Sequence, residues 1–235
     1  MLELENVEAY YGDSRVLQGV SLSVKDGEFV SILGRNGVGK TTLIRSILGL
    51  MDRVEGSIQL DGTDIKRFKT HDRALAGIGY VPQGRGILPK FTVRQNLMLG
   101  TFANPKSNRG NGARIAEWVF ELFPILREFL DRRGGNLSGG QQQQLAIART
   151  LLSEPKIILL DEPTEGIQPN IVEQIEQVLI DLNRKHGKTI VLIEQNIGFA
   201  RRASQHFAIM DRGQVAARGP VQELTDQLVH RHLAV

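Results

Sequence analysis

Apolar and polar residues alternate with a period of two near the start of the chain, in residues 2–8 and 16–24. This is the period of a strand with one buried face, so two strands are predicted, joined by a turn at residues 10–13. An apolar run at 29–33 predicts a buried strand that leads through a glycine-rich turn into a helix at 41–50. Two further strands are predicted at 57–60 and 79–81.

Helical spacing replaces the strand pattern in the middle of the chain, at residues 91–100 and 113–131. The second segment predicts one apolar face formed by Trp118, Leu122, Ile125, Leu126 and Phe129. A polar, glycine-rich segment at 104–112 predicts a surface loop between the two. The remaining predictions are helices at 138–152 and 169–185, strands at 157–161 and 189–193, a hairpin of 206–210 and 214–218, and a helical tail from residue 220.

Strands that alternate with helices predict an α/β fold with a mainly parallel sheet. The first strands form an N-terminal antiparallel β part. The helical block at about 84–137 interrupts the alternation, so we interpret it as an inserted helical lobe. The chain is therefore predicted to be one domain over residues 1–235.

Composition narrows the partners of the chain. The formal net charge is only +3, and the 29 basic and 26 acidic residues are interspersed, which does not indicate a nucleic-acid partner. There is no cysteine, so disulfides and thiolate metal sites are excluded. Neither a signal peptide nor an apolar run near the ~20 residues of a membrane span is recognisable, so we expect any membrane role to be peripheral.

A glycine-rich segment between a predicted strand and a predicted helix carries the strongest motif. It matches the pattern G-x-x-x-x-G-K-[ST] with Gly34, Arg35, Asn36, Gly37, Val38, Gly39, Lys40 and Thr41, and Thr42 follows it. Backbone N–H groups of such a turn and the positive end of the helix hold phosphate oxygens. Lys40 is expected to reach the β- and γ-phosphates, and Thr41 to bind Mg²⁺. A glycine turn with a chance Gly-Lys-Thr sequence is the alternative.

Two acids, Asp161 and Glu162, follow a buried strand pattern. Ligands of parallel sheets gather where the strands end, so both carboxylates are expected beside the phosphate loop. Asp161 suits Mg²⁺ coordination, and Glu162 suits deprotonation of an attacking water. A strand that ends in ordinary surface acids is the alternative.

A second helix start has features of an anion site. Ser138 and Gln141 have the spacing of a capping box, which is the purely structural explanation. Capping does not require Gly139 and Gly140, which leave backbone N–H groups open to an anion. Two such sites in one chain suggest a dimer in which each copy closes the nucleotide site of the other.

The order of these motifs resembles the nucleotide-binding domain of ATP-binding cassette proteins over nearly the whole chain, with Leu137–Gln141 as the distinctive sequence. The resemblance implies an ATPase with ATP and Mg²⁺ as ligands, and a head-to-tail dimer in which Ser138 and its glycines contact ATP on the opposite subunit. It also implies that Tyr11 stacks on adenine, with core packing of this tyrosine as the alternative. Gln83 corresponds to the glutamine that touches Mg²⁺ and senses the helical lobe.

The chain departs from the family pattern at two positions. Gln195 stands where the family commonly has a histidine that reaches the γ-phosphate, and Gln168 stands where an aspartate is usual. A glutamine amide donates a hydrogen bond to phosphate but carries no charge. We therefore carry the histidine's catalytic role to Gln195, and the two replacements leave open whether both ATP sites of a dimer hydrolyse ATP.

Within the family, the segments after strands 157–161 and 189–193 resemble importers of branched-chain amino acids and related small amides. Three sequences look most like the ATPase subunit of urea importers: residues 132–135, 141–144 and 163–169. The resemblance implies a companion ATPase or a second identical chain, two permease subunits, a solute-binding protein and a place at the cytoplasmic face of the membrane. The open alternatives are an amino acid importer, a non-transport ATPase of the family, and a scaffold that binds ATP without hydrolysis.

Overall fold

The computed structural model describes residues 1–103 and 114–233. The loop predicted at 104–112 lies outside the described residues. The strands are β1 (Leu2–Tyr11), β2 (Ser14–Val24), β3 (Phe29–Leu33), β4 (Arg53–Leu60), β5 (Thr63–Asp64), β6 (Ile78–Val81), β7 (Ile157–Asp161), β8 (Thr189–Glu194), β9 (His206–Asp211) and β10 (Gln214–Pro220). The α-helices are α1 (Lys40–Leu48), α2 (Thr70–Leu75), α3 (Val93–Phe102), α4 (Trp118–Leu122), α5 (Pro124–Glu128), α6 (Gly139–Leu151), α7 (Pro169–Arg184), α8 (Ile197–Ala203) and α9 (Asp226–His232).

The N-terminal part is an antiparallel sheet with the strand order β2-β1-β4-β5. Its inner face buries alternate residues of β1, such as Leu2 and Leu4, and these side chains pack against Leu43 and Ile47 of α1 in one apolar cluster. The alternation that predicted the first two strands is thus one buried face of this sheet.

The second sheet has the strand order β10-β9-β3-β8-β7-β6. Its strands are parallel except for β10, which pairs antiparallel with β9. Every residue of β3, β7 and β8 is buried, as expected for parallel strands covered on both faces. The fold class predicted from the sequence is confirmed: an antiparallel sheet, a mainly parallel sheet, and helices α3 to α5 between β6 and β7.

The topology brings several strand ends to one edge of this sheet. The glycine-rich segment follows β3, and Gln83 follows β6. Asp161 ends β7 with Glu162 directly after it, and Gln195 follows β8. Because these four strands are parallel, their carboxyl ends lie side by side, which is where open α/β sheets bind ligands.

The prediction of one continuous helix over 113–131 is wrong, although most of its predicted apolar face packs against the core. Two short helices, α4 and α5, occupy this segment and are separated at Phe123, because Pro124 has no backbone N–H to continue the first helix. Leu126 is buried as predicted, but Trp118 is 36% exposed. The other predicted face residues, Leu122, Ile125 and Phe129, pack partly buried against the same apolar cluster, and Val119, Phe120 and Phe123 add buried side chains to it.

Helices α2 and α8 were not predicted. Residue Arg73 of α2 is only 3% exposed, and its Nη1 donates to the carbonyl oxygens of Ser46 and Ile47, at 2.8 and 2.7 Å. The guanidinium therefore satisfies carbonyl groups at the end of α1, where Gly49 stops the helix in the left-handed region at φ 72°. Because α2 buries an arginine instead of an apolar face, its sequence has no apolar periodicity from which the helix could be predicted. Among the described residues, no helix combines the length and apolar character that crossing a bilayer requires.

Candidate functional site

The glycine-rich segment turns sharply between β3 and α1. Gly37 and Gly39 adopt φ values of 80° and 106°, which favour glycine. A Cβ atom on Gly34 would lie 2.8 Å from the carbonyl oxygen of Met210. The backbone thus passes too close to β9 for a side chain at this position, and α1 begins directly at Lys40.

Lys40 is held inside the turn. Its side chain is 5% exposed, and Nζ donates to the carbonyl oxygens of Gly34 at 2.8 Å and Arg35 at 2.9 Å. The same Nζ lies 3.3 Å from Oε1 of Glu162. The phosphate loop and the acid after β7 are therefore joined by an ion pair shielded from solvent.

Glu162 is fixed by its backbone and by its side chain. It adopts φ 47°, a left-handed conformation that is unusual for this residue type, and its N–H donates to Ile193 at 3.0 Å. Gln195 Nε2 lies 3.0 and 3.1 Å from the two carboxylate oxygens of Glu162. The same Nε2 donates to Oδ1 of Asn36 at 2.8 Å. Gln195 thus connects the phosphate loop to the acid predicted to act as a base.

Asp161 is completely buried. Thr41 Oγ1 donates to its Oδ1 at 3.4 Å, whereas its Oδ2 has no hydrogen-bond partner among the described residues. Burial raises the pKa of Asp161, the bond from Thr41 lowers it in part, and the charge of Glu162 raises it further. Burial, with a contribution from the negative charge of Asp161, also raises the pKa of Tyr80 to about 12.

A cavity of about 290 Å³ opens in front of these groups. Its walls are formed by Val16, Asn36, Gly37, Gly39, Lys40, Thr41, Thr42, Gln83 and Glu162. Val16 belongs to β2 and carries no chemical group that sequence reasoning would select. Asp161 lies behind the wall, and Gly34 and Arg35 contribute through the carbonyl groups that hold Lys40. Val38 packs partly against the core instead.

Gln83 lies on the cavity wall in a segment fixed to its surroundings at several points. Its Nε2 donates to Oε2 of Glu165 at 2.8 Å. Two residues further on, Arg85 Nη1 donates to Oε1 of Gln142 at 3.1 Å, and Arg149 Nη2 donates to the carbonyl oxygen of Gly86 at 2.8 Å. The segment is therefore bonded both to the loop after β7 and to α6.

Tyr11 lies at the end of β1 and outside the cavity wall. Its side chain is 41% exposed, so the alternative in which it packs into the core is not what the structure shows. Its hydroxyl accepts a hydrogen bond from Arg45 Nη1 of α1 at 3.0 Å. The ring therefore has a free surface, and its adenine-stacking role stays a prediction.

Ser138–Gln141 also lie outside the cavity wall. Ser138 and Gln141 form the capping box, with Ser138 N donating to Gln141 Oε1 at 3.0 Å and Gln141 N donating to Ser138 Oγ at 3.4 Å. Gly140 has a packing reason as well, whereas a Cβ on Gly139 would meet only the movable end of the Arg85 side chain. A Cβ on Gly139 would lie 2.8 Å from the guanidinium of Arg85, and one on Gly140 would lie 2.6 Å from Cγ2 of Ile171. Contact of this segment with ATP therefore stays a prediction about a second subunit.

Sequence reasoning missed Glu194, the last residue of β8. This acid is 4% exposed and bonds to Thr164, Gln195 and Asn196. A charged residue at the end of a mainly apolar strand is a signal, and it has the same form as the signal that identified Asp161.

The structure brings most of the predicted residues together at this cavity: Asn36, Gly37, Gly39, Lys40, Thr41, Thr42, Gln83, Asp161, Glu162 and Gln195. A model of the ABC transporter family matches residues 17–165, more than half of the chain. The chain belongs to the ABC transporter family. As a member of this family it is an ATPase that binds ATP and powers transport.

Two curated relatives of this ABC ATPase are named for the transport of branched-chain amino acids. The high-affinity ATP-binding protein BraG of Pseudomonas aeruginosa is 37% identical over 92% of this chain and 91% of its own length. The probable ATP-binding protein LivF of Archaeoglobus fulgidus is 33% identical over 96% of this chain and 94% of its own length. The dimeric cassette MJ0796, solved with ADP and phosphate, superposes with a TM-score of 0.82 at 30% identity, covering 94% of this chain and 99% of its own.

Proposed function

We propose that this ATPase energises an importer of a small polar solute, and that branched-chain amino acids are its cargo. The observation that carries the proposed chemistry is the meeting of Lys40, Glu162 and Gln195 on one side of the phosphate loop. These side chains come from three separate strand ends, and their convergence has no role in core packing because Lys40 and Glu162 face a cavity.

The residues of the site divide the work of hydrolysis. Lys40 and the backbone N–H groups of residues 34–41 bind the β- and γ-phosphates and stabilise charge that develops on the γ-phosphoryl group. Glu162 accepts the proton of the attacking water. Gln195 holds the Glu162 carboxylate and donates to phosphate oxygen, which is a hydrogen bond without the charge of a histidine.

Mg²⁺ fits the oxygen atoms beside the phosphate loop. Asp161 Oδ2 is buried and unpartnered among the described residues. Thr41 Oγ1 lies 3.4 Å from Oδ1 of the same carboxylate. Hard oxygen ligands of this kind, shared with phosphate oxygens, are those that Mg²⁺ takes in nucleotide sites. Thr41 and Asp161 would hold the cation, with Gln83 on the cavity wall as a third ligand, and it would neutralise charge on the phosphates.

Two copies of the cassette, or this chain and a companion ATPase, are proposed to enclose two ATP molecules. The dimeric structure of MJ0796 supports this arrangement. Ser138 and the N–H groups that follow it would then contact the nucleotide of the opposite subunit, and Tyr11 would stack on the adenine of its own. Two permease subunits and a solute-binding protein complete the proposed transporter, with this subunit at the cytoplasmic face.

The cargo rests on relatives and not on the geometry of the site. BraG and LivF are both named for branched-chain amino acids, and they support this cargo better than urea. Urea remains a second candidate because residues 132–135, 141–144 and 163–169 resemble urea importers. In the structure Gln141 forms the capping box, Gln142 donates to the carbonyl oxygens of Gly134 and Leu137, and Gln144 donates to Gln174. None of these contacts points to a solute.

Transport by the assembled complex tests the proposal. The chain should be purified with the permeases encoded beside it, placed in vesicles with ATP inside, and supplied with the matching solute-binding protein and labelled leucine or urea. We expect ATP-dependent uptake of leucine. Uptake of urea alone would replace the cargo, and the absence of ATP hydrolysis in the complex would overturn the whole proposal.

A further inference from the structure

Glu194 is a buried acid that none of the predicted roles includes. It ends β8, and its side chain is withdrawn from solvent, with 4% exposure. A buried carboxylate is costly unless hydrogen-bond donors surround its charge. Glu194 therefore needs specific donors, and their identity shows what its position connects.

Each oxygen of Glu194 bonds to a different loop. Oε1 accepts from the backbone N–H of Thr164 at 3.2 Å and from its hydroxyl at 2.5 Å. Oε2 accepts from the N–H groups of Gln195 at 3.0 Å and Asn196 at 3.3 Å. None of these donors is a charged side chain, so the carboxylate is held wholly by neutral groups of the two loops.

The two loops meet again at Glu162. Thr164 follows this acid by two residues, and Gln195 bonds to both of its carboxylate oxygens. Glu162 is also attached to β8 through its N–H, which donates to Ile193. The contacts thus close a ring from Glu162 through Thr164, Glu194 and Gln195 back to Glu162.

We propose that Glu194 is a positioning residue for hydrolysis. It sets the backbone from which the Gln195 side chain reaches Glu162 and Asn36, and it makes that placement depend on the loop after Glu162. When Thr164 moves, it pulls on Oε1 of Glu194 through its two hydrogen bonds. Because the carboxylate is rigid, Oε2 moves as well and shifts the backbone N–H of Gln195. This inference rests on the proposed function, because a second cassette pressing on residues 163–168 is what would move the loop.

Glu194→Gln is the direct test, because glutamine has the same shape and replaces one acceptor oxygen with a donor. In the assembled complex we expect kcat for ATP to fall about 10- to 100-fold while KM stays within about threefold, since misplacement of a catalytic group affects the chemical step. Glu176→Gln is the matched control: Glu176 is a buried acid of α7, 6% exposed and paired with Arg202, outside the site. It should lose stability without the same loss of kcat.

Coupling to Gln195 separates positioning from general damage to the fold. In a Gln195→Ala background, Glu194→Gln should lower kcat by less than about threefold, because residues that act as one unit are not additive. Multiplicative losses would show a separate structural role and overturn the inference, as would an unchanged kcat in the folded single variant.

Thr164→Val keeps the test decisive if Glu194→Gln does not fold, because it removes only the hydroxyl donor. We expect about a 3- to 10-fold loss of kcat that disappears in the Gln195→Ala background. A loss that persists in that background would contradict the ring. Hydrolysis by the assembled wild-type complex separates the two proposals. No turnover by that complex defeats the proposed function, whereas normal turnover by complexes that carry these variants defeats only the role of Glu194.

Discussion

Lys40 Nζ lies 3.3 Å from the carboxylate of Glu162, so the cation predicted to bind phosphate is paired with the acid predicted to activate water. Lys40 also donates to two carbonyl oxygens of its own loop. Incoming phosphate oxygens compete with these acceptors for the same ammonium group. The relationship between the two residues therefore links affinity for the nucleotide to the position of the base.

Glu162→Gln should separate binding from hydrolysis. The amide keeps the shape of the side chain but removes both the base and the charge that Lys40 faces, so we expect ATP affinity equal to or above wild type. Turnover should fall about 10²- to 10⁴-fold, the range for loss of a general base. Calorimetry with ATP and a phosphate-release assay measure the two quantities. Glu173→Gln on the exposed part of α7 is the matched control, and near-normal turnover by Glu162→Gln would contradict the assignment.

Asp161→Asn should make the folded chain more stable but weaken its binding of Mg²⁺ and ATP. Asparagine keeps the acceptor for Thr41 and removes a charge that is disfavoured by burial, so we expect a higher free energy of unfolding at neutral pH, limited by the buried amide N–H groups that replace Oδ2. Stabilisation by Mg²⁺ and ATP should decrease. Urea denaturation with and without the ligands measures both effects, and a less stable variant would show that the buried carboxylate is satisfied.

The stability difference between wild type and Asp161→Asn should also depend on pH. The folded-state pKa of Asp161 lies above its ordinary value of 3.8, so the folded chain binds this proton more tightly than the unfolded chain. The free energy of unfolding of the wild type therefore falls as pH rises from about 3.8 through the folded pKa, and the variant lacks this contribution. Denaturation at several pH values should show the two proteins converging toward acid and separating toward neutrality.

Gln195→His should introduce a pH dependence that the wild type lacks at this residue. Imidazole titrates near pH 6.5, and its charged form supplies an additional positive charge beside phosphate. We expect hydrolysis by the variant, relative to wild type, to fall as pH rises through the histidine pKa. The ratio of kcat values from pH 5.5 to 8.5 measures this, with Gln195→Ala as the control that has no titrating group. If the ratio of kcat values does not change with pH, a positive charge at residue 195 has no effect on hydrolysis.

Gly140→Ala should destabilise the fold through one specific contact. The added Cβ would lie 2.6 Å from Cγ2 of Ile171, so we expect a loss of about 1–3 kcal/mol by overpacking. Ile171→Ala removes that neighbour. In this background, the further change Gly140→Ala should therefore cause little or no additional loss of stability. If ATP hydrolysis stays low after stability has returned, Gly140 also serves the nucleotide. Full recovery of both would limit its role to packing.

The phosphate loop and the two acids at the end of β7 could be predicted from the sequence because each is a contiguous motif that depends only on the elements directly beside it. Gly34–Thr41 needs only a strand before it and a helix after it, and both are present. Other parts depend on partners far along the chain, which periodicity cannot show. Val16 reaches the cavity from β2, and Glu194 bonds to Thr164 thirty residues away. The break at Pro124 was a different error, since apolar spacing outweighed a residue that interrupts helices.

The far end of α1 is held by Arg73, while its first residues, Lys40 and Thr41, face the cavity. A helix of nine residues is about 13 Å long and bends little over that distance. Loss of the guanidinium would leave the carbonyl groups at the end of α1 without their donor, and it would weaken the helix that carries the ammonium and hydroxyl groups at its other end. A substitution at a residue that touches no ligand, such as Arg73, can in this way lower the rate of ATP hydrolysis.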